Sequence, residues 1–201
     1  MKCWAIVPVK RLAAAKSRLA SVLSLRQRRA LVCSLLIHAL DVLQATDGIE
    51  GILVVGKDRA VREIARRSGA TFVHEAERDG LNRALLRAAA EAVRRGAEAV
   101  MILPADLPLL RSADIAWVLE RAGRPPFLMI APDRSEQGTN LLFMAPPGLI
   151  RFSFGIRSFR RHLLAARRAG VKAKIRRRQA LAQDIDRPED LSKICGLGRD
   201  G

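Results

Sequence analysis

The chain has 201 residues, of which 49% are hydrophobic, so it can bury one substantial core, and its length favours a single domain over 1–201. Its formal net charge of +16 predicts a surface that attracts polyanions. Cys3, Cys33 and Cys195 are far apart and lack the Cys-x-x-Cys spacing, which argues against a disulfide framework or a zinc site and favours the reducing cytoplasm. Charged residues follow Val9 closely and no apolar stretch is long enough to span a bilayer, so we expect neither a signal peptide nor a membrane partner.

Short β-branched runs alternate along the chain with longer segments rich in Ala, Leu and Arg that have helical period. This alternation is typical of an α/β fold, with a mostly parallel central sheet flanked by helices. The predicted strands lie at 3–7, 52–55, 70–73, 99–103, 127–131 and 141–144. The predicted helices lie at 25–43, 59–67, 81–95, 113–121 and 159–169.

Local signals fix where several of these helices begin. Ser24 with Gln27 forms a capping box for the first helix, while Asp58 and Ser112 are expected to cap the second and the fourth. Apolar residues are expected to share one side of the first helix, where they would face the core. These residues are Leu31, Leu35, Ile37 and Leu40.

Three aspartates are candidates for a metal site. Asp106 follows the fully apolar strand at 99–103, and open α/β sheets bind ligands at the carboxyl ends of their strands. Asp184 and Asp186 are separated by one residue, so on an extended segment their side chains point the same way. In so basic a protein, a hard divalent cation shared with phosphates explains such a cluster. Two alternatives remain at this point: Asp106 as a turn residue, and Asp186 as the N-cap of a helix that starts at Pro188.

The loop after the first strand is a candidate phosphate site. It carries Lys10, Lys16 and Arg18 around three consecutive alanines. Free backbone N–H groups and these cations can neutralise a triphosphate. The loop contains no glycine, so it is neither a Walker A motif nor a dinucleotide fingerprint, and a solvated basic loop is the open alternative.

Seven short motifs, in register over nearly the whole chain, resemble the CofC/FbiD family. They are Pro8-Val9-Lys10, Lys16-Ser17-Arg18-Leu19, Gly80-Leu81-Asn82, Leu103-Pro104-Ala105-Asp106-Leu107-Pro108, Gly138-Thr139-Asn140, Phe154-Gly155-Ile156-Arg157-Ser158-Phe159 and Asp184-Ile185-Asp186. Members of that family are guanylyltransferases that activate a phosphorylated three-carbon acid for synthesis of the deazaflavin coenzyme factor 420. The resemblance implies a nucleotide-diphospho-sugar transferase fold, which is GT-A-like and Rossmann-like, with GTP as donor, Mg²⁺ as cofactor and pyrophosphate as by-product.

The resemblance also implies roles for individual residues. Asp106, Asp184 and Asp186 would hold Mg²⁺ and, with Lys16, would be catalytic. The residues expected near the nucleotide are Pro8, Lys10, Lys16, Arg18, Asn82 and Pro104. The residues expected to bind the phosphate and carboxylate of the acceptor are Thr139, Gly155 and Ser158. Helix capping is the alternative role for both Asn82 and Ser158. His162 matches a histidine often found after the Ser-Phe motif, and no catalytic role is assigned to it.

Three acceptors fit this reading: 2-phospholactate, phosphoenolpyruvate and 3-phosphoglycerate. The resemblance favours a homodimer and allows hand-over of the unstable product to a downstream transferase. One rival is another NTP-dependent nucleotidyl- or glycosyltransferase of the same fold. A nucleic-acid-binding protein is the weaker rival, because only 4% of residues are aromatic and Tyr is absent, so we predict no nucleic-acid partner.

Overall fold

Strands and helices alternate along the chain, as the sequence pattern predicts. The computed structural model describes residues 1–14, 16–76 and 80–195, with side chains described as far as Leu191. The strands are β1 (Cys3–Pro8), β2 (Ile49–Gly56), β3 (Thr71–His74), β4 (Ala99–Ile102), β5 (Phe127–Pro132), β6 (Thr139–Ala145) and β7 (Ala173–Ile175). The helices are α1 (Leu25–Gln44), α2 (Arg59–Arg67), α3 (Gly80–Arg94), α4 (Ser112–Glu120), α5 (Ser158–Arg168), α6 (Gln179–Ala182) and α7 (Pro188–Cys195). Short 3₁₀ turns lie at Leu12–Ala14 and Ser17–Leu19.

The strands form one sheet in the order β3-β2-β1-β4-β6-β5-β7. Strand β6 runs antiparallel to both of its neighbours, while the other pairings are parallel. The prediction of a mostly parallel sheet flanked by helices is therefore confirmed. Because β6 is reversed, its first residue, Thr139, lies at the same edge of the sheet as the last residues of β1 and β4. That edge carries the candidate site.

The two faces of the sheet are covered by different helices. In β4, Met101 belongs to the core cluster shared with α1, α2 and α4, whereas Ile102 belongs to the cluster shared with α3 and α5. Alternate strand residues point to opposite faces, so one short apolar strand supplies both cores. A third, smaller cluster joins Leu19, Leu35 and Ile185, and it ties the end of the 3₁₀ turn and α1 to the segment before α7.

The helix starts test the capping predictions. The capping box of Ser24 and Gln27 is present and confirms the first of them. Asp58 is the N-cap residue of α2, but its carboxylate accepts the N–H of Leu12 at 2.9 Å and makes no cap hydrogen bond. The prediction for Ser112 is wrong, because Arg111 is the N-cap of α4.

Other differences lie in a helix face and in the last third of the chain. Leu35 and Leu40 are buried on α1, whereas Ile37 is 43% exposed, so its predicted place in the core is wrong. A residue two positions from Leu35 is turned about 200° around a helix of 3.6 residues per turn. Strand β7 and helix α6 had no sequence prediction, because each is only three or four residues long. Among the described residues, no helix has both the length and the apolar character needed to cross a membrane.

Candidate active site

Three neighbouring strands meet at the site edge of the sheet. The chain leaves β1 into the cationic loop, leaves β4 toward Asp106, and enters β6 at Thr139. The strand order places β4 between the other two. Lys16 and Asp106, which are 90 positions apart in sequence, can therefore act on one ligand.

The three predicted aspartates lie together at this edge. One carboxylate oxygen from each of Asp106, Asp184 and Asp186 lies within 4.8 Å of the others. The backbone N–H of Ile185 donates to the carbonyl oxygen of Asp106 at 3.2 Å. The Ile185 side chain is 1% exposed and packs with Leu19. Burial of this one residue between the two aspartates turns both of them toward Asp106.

Lys16 bridges two of these carboxylates. Its Nζ lies 2.5 Å from Asp106 Oδ2 and 3.0 Å from Asp186 Oδ1, and its side chain is 7% exposed. Burial alone would lower the pKa of Lys16, but the charges of Asp106 and Asp186 outweigh burial and raise it. The backbone of Lys16 is left-handed, with φ of 50°, a conformation that few non-glycine residues adopt. Arg18 is more peripheral, with Nη1 3.6 Å from Asp186 Oδ2 and 67% of its side chain exposed.

The charge of the carboxylate cluster is only partly compensated. Burial, followed by the charges of Asp106 and Asp186, raises the pKa of Asp184 to about 6. Lys16 is the one ammonium described within hydrogen-bond distance of the cluster, against three carboxylates. Three carboxylate oxygens that converge at the carboxyl edge of a sheet are the donor set that a hard divalent cation prefers, so the residues present fit Mg²⁺.

The side chains of Asp106 and Asp186 have partners other than those expected for a turn residue and for an N-cap. The carboxylate of Asp190, in the first turn of α7, accepts the backbone N–H groups of Asp186 at 3.1 Å and of Arg187 at 2.8 Å and so fixes the segment that enters the helix. The Asp186 side chain instead faces Lys16. The Asp106 carboxylate likewise forms an ion pair with Lys16, so Asp106 is more than a residue of the turn before Pro108.

The remaining residues predicted near the nucleotide lie on the same edge but differ in exposure. Pro8 ends β1 and is half-buried, and Pro104 follows β4 with similar burial. Lys10 is exposed, so its ammonium is presented to solvent. The carboxylate of Asp58 holds the N–H of Leu12 and thereby fixes the loop that carries Lys10 and Lys16.

Thr139, Gly155 and Ser158 lie at β6 and at the start of α5. Gly155 has a φ of 117°, and a Cβ there would meet no atom within 4 Å, so the constraint at this position is the backbone conformation alone. Ser158 is 2% exposed and is the first residue of α5. Arg157 is the N-cap, so the capping alternative for Ser158 is wrong. The N–H of Phe159 donates to the carbonyl of Gln137 at 3.2 Å, which joins the start of α5 to the turn before Thr139.

A cavity of about 350 Å³ adjoins this junction. Its lining comprises Glu136, Gln137, Arg157 and Arg160. Two of the four, Arg157 and Arg160, are cationic and one, Glu136, is anionic, so the lining has a net positive charge. The cavity is therefore suited to an anion rather than to an apolar ligand.

Two residues that pattern reasoning left without a clear role have defined partners. Both amide atoms of Asn82 contact the backbone of Phe154, so Asn82 does not merely cap its own helix. His162 is fully buried and lies 3.0 Å from Thr139 Oγ1 through Nδ1. The sequence holds one signal for His162: it follows Ser158 by four positions and so shares its side of α5.

A third residue that pattern reasoning passed over is Asn140. It is 6% exposed, and its Nδ2 has no hydrogen-bond partner among the described residues. It directly follows Thr139 at the start of β6. A buried amide donor without a partner is uncommon in folded proteins. It is thus a spare donor next to the site.

Comparisons with known proteins match nearly the whole chain. The family model described as "Guanylyl transferase CofC like" matches residues 3–201. A phosphoenolpyruvate guanylyltransferase from Rubrobacter xylanophilus is 44% identical over 198 residues, which cover 98% of this chain and 96% of that protein. Another, from Sphaerobacter thermophilus, is 42% identical over 196 residues, which cover 98% and 94%.

A solved structure confirms the fold prediction. A protein from Desulfovibrio desulfuricans G20, assigned as a nucleotide-diphospho-sugar transferase, superposes with a TM-score of 0.79 at 16% identity. The superposition covers 100% of this chain and 89% of that one. The chain therefore has the nucleotide-diphospho-sugar transferase fold.

Proposed function

This chain belongs to the CofC-like family of guanylyl transferases, and we propose that it transfers GMP from GTP to the phosphate of phosphoenolpyruvate, with release of pyrophosphate. The family resemblance of the seven motifs is thereby confirmed. The choice of phosphoenolpyruvate over 2-phospholactate and 3-phosphoglycerate rests on the names of the relatives that are 44% and 42% identical. The product would serve the synthesis of the deazaflavin coenzyme factor 420.

The observation that carries the proposal is the cluster of Asp106, Asp184 and Asp186 around Lys16. A nucleotidyl transfer between a triphosphate and a phosphate monoester brings together two anions that repel each other, so the enzyme must neutralise charge at the point where they meet. One oxygen from each of the three carboxylates lies within 4.8 Å of the others, and the single ammonium of Lys16 does not balance their charge. Mg²⁺, when bound by these three residues, would bring the two anions together and neutralise part of their charge.

The cationic loop would act on the donor. Lys10 and Arg18 are exposed, so their charges would be available to the β- and γ-phosphates of GTP. The ammonium of Lys16 lies at the carboxylate cluster itself, beside Asp106 and Asp186. It would interact with a carboxylate and with the departing pyrophosphate at the same time. These charges stabilise the leaving group as the bond between the α-phosphorus and its bridging oxygen breaks.

The acceptor needs no general base. A phosphate monoester has a second pKa of about 6 and is largely dianionic near neutral pH. One of its oxygens attacks the α-phosphorus of GTP in line with the leaving pyrophosphate, and one phosphoanhydride bond forms as another breaks. His162 is unsuited to be a base, because both of its ring nitrogens have partners and burial lowers its pKa to about 4.

The acceptor would be held at Thr139, Gly155 and Ser158. The amino end of α5 offers N–H groups and a positive dipole to a carboxylate or phosphate. The left-handed φ of Gly155 leaves the backbone bare on the side where a Cβ would meet no atom, so an anion can approach it closely.

A product assay tests this function. Each of the four NTPs is incubated with phosphoenolpyruvate, 2-phospholactate and 3-phosphoglycerate in competition, and pyrophosphate release and product mass are measured. We expect GTP with phosphoenolpyruvate to give the predominant product. A predominant product from 2-phospholactate or 3-phosphoglycerate would change the acceptor. Preference for another nucleotide, or no product with any of the three acids, would replace the substrate assignment with the rival transferase of the same fold.

A further inference from the structure

The backbone of the 153–157 loop is held by two side chains from outside the loop. The N–H of Ser153 donates to His162 Nε2 at 3.0 Å. The N–H of Phe154 donates to Asn82 Oδ1 at 2.8 Å, and Asn82 Nδ2 donates to the carbonyl of Phe154 at 3.0 Å. The rings of Phe154 and His162 also meet edge to face, with centroids 4.8 Å apart. Two consecutive residues are thus fixed immediately before Gly155.

Helix α3 and helix α5 supply one anchor each. Asn82 lies in the first turn of α3, and His162 lies in the second turn of α5. The loop that carries Gly155 is therefore tied both to α3, the helix that precedes β4, and to α5, the helix that begins with Ser158. Movement of either helix would move the loop.

The same histidine defines the hydrogen bonding of Thr139. His162 Nε2 accepts the N–H of Ser153, so the proton of the neutral ring is on Nδ1. Nδ1, 3.0 Å from Thr139 Oγ1, must then donate to that oxygen. The hydroxyl proton of Thr139 is left available for another acceptor, such as a phosphate or carboxylate oxygen of the substrate.

We infer that Asn82 and His162 are positioning residues of the acceptor site. They hold the 153–157 loop in its binding conformation before any ligand arrives, and His162 presents Thr139 as a hydrogen-bond donor. This inference rests on the proposed function, because it takes Thr139, Gly155 and Ser158 as the acceptor-binding residues. It also gives Asn82 a role on the acceptor side, in place of the nucleotide contact that the family resemblance implied.

Two isosteric substitutions separate the tasks of His162. In His162→Asn the side-chain amide reaches the position of Nδ1, so the contact with Thr139 can persist while that with Ser153 is lost. In His162→Gln the amide reaches the position of Nε2, so the contact with Ser153 can persist while that with Thr139 is lost. Asn82→Ala removes both bonds to Phe154. His38→Gln is the matched control, because His38 lies on α1, away from the 153–157 loop.

Steady-state kinetics of these variants tests the inference. Each His162 variant loses one hydrogen bond and should raise the KM for phosphoenolpyruvate about 10-fold, and Asn82→Ala, which loses two, should raise it by at least as much, while the KM for GTP stays within about twofold in all three. His38→Gln should change neither KM. A purely structural role, or a nucleotide contact by Asn82, would raise the KM for GTP as much as that for the acid, and this result would overturn the inference, as would an unchanged KM for the acid.

A second readout does not depend on turnover. Amide hydrogen exchange in the ligand-free wild type should show Ser153 and Phe154 protected, with protection lost at Ser153 in His162→Asn and at Phe154 in Asn82→Ala. Fast exchange at both amides in the wild type would overturn the inference whatever the substrate is. If none of the three acids reacts, the proposed function fails on its own, and the exchange result still decides whether the loop is anchored in this way.

Discussion

Burial of His162 should make the protein less stable in mild acid. Burial, followed by the positive charge of Arg161, lowers the pKa of His162 from 6.5 to about 4. Below pH 6.5 the unfolded chain binds a proton at this residue, whereas the folded protein does not until the pH nears 4. The free energy of unfolding therefore decreases as the pH falls through this window, and it is unaffected by His162 above it. A shift of about 2.5 pH units at about 1.4 kcal/mol each corresponds to a loss of about 3 kcal/mol.

The assay is urea denaturation followed by circular dichroism at pH 7 and at pH 4.5. Other groups titrate over this range, so the informative quantity is the difference between wild type and His162→Gln, which has no imidazole at position 162. Between the two pH values the wild type should lose about 2 to 3 kcal/mol more than the variant. His74→Gln, which removes an exposed imidazole, should follow the wild type. An equal loss in wild type and His162→Gln would show that the buried ring is not kept neutral and would refute the reasoning.

Three further substitutions test the site. Asp184→Asn should lower turnover at least about 100-fold, as loss of a single charge-stabilising group does elsewhere. It should leave the melting temperature equal or higher, because it removes a half-buried negative charge that two neighbouring carboxylates repel. Near-normal turnover would exclude Asp184 from the metal site. Gly155→Ala and its control Gly148→Ala should each lower the free energy of unfolding by about 1 to 2 kcal/mol, because both glycines have positive φ and free space around the missing Cβ. Only Gly155→Ala should raise the KM for the acceptor acid. Lys16→Met should lower the melting temperature of the metal-free protein more than that of the Mg²⁺-saturated protein, because a bound cation would replace the lost ammonium beside the carboxylates. Equal decreases in melting temperature would contradict binding of Mg²⁺ by the carboxylates that Lys16 contacts.

The features predicted correctly from sequence are those decided within a few residues. Ser24 and Gln27 are three positions apart, and their capping box forms as expected. Asp106 was expected beyond the carboxyl end of a strand because an apolar run precedes it, and β4 ends at Ile102, four residues before it. Features that depend on distant partners were predicted poorly. Asp58 has the right residue type for an N-cap, but its carboxylate accepts the N–H of Leu12, which the fold brings near.

In the candidate site, too, local patterns were predicted from sequence and contacts between distant residues were not. Asp184 and Asp186 were found because their spacing is a local pattern, and the structure brings them to Asp106 across the sheet. The partners of Asn82 could not be found in this way. Phe154 is 72 residues further along the chain, and nothing in either segment indicates that an amide and a backbone will meet. Such contacts follow from the strand order, which placed α3 and α5 on the same face of the sheet.

The most direct test of the account is a crystal structure of the protein with GTP and Mg²⁺. The account predicts a metal ion about 2.0 to 2.1 Å from a carboxylate oxygen of each of Asp106, Asp184 and Asp186, in contact with a phosphate oxygen of the nucleotide. If the nucleotide binds with its ion away from these three residues, and turnover survives Asp184→Asn, the central claim is wrong.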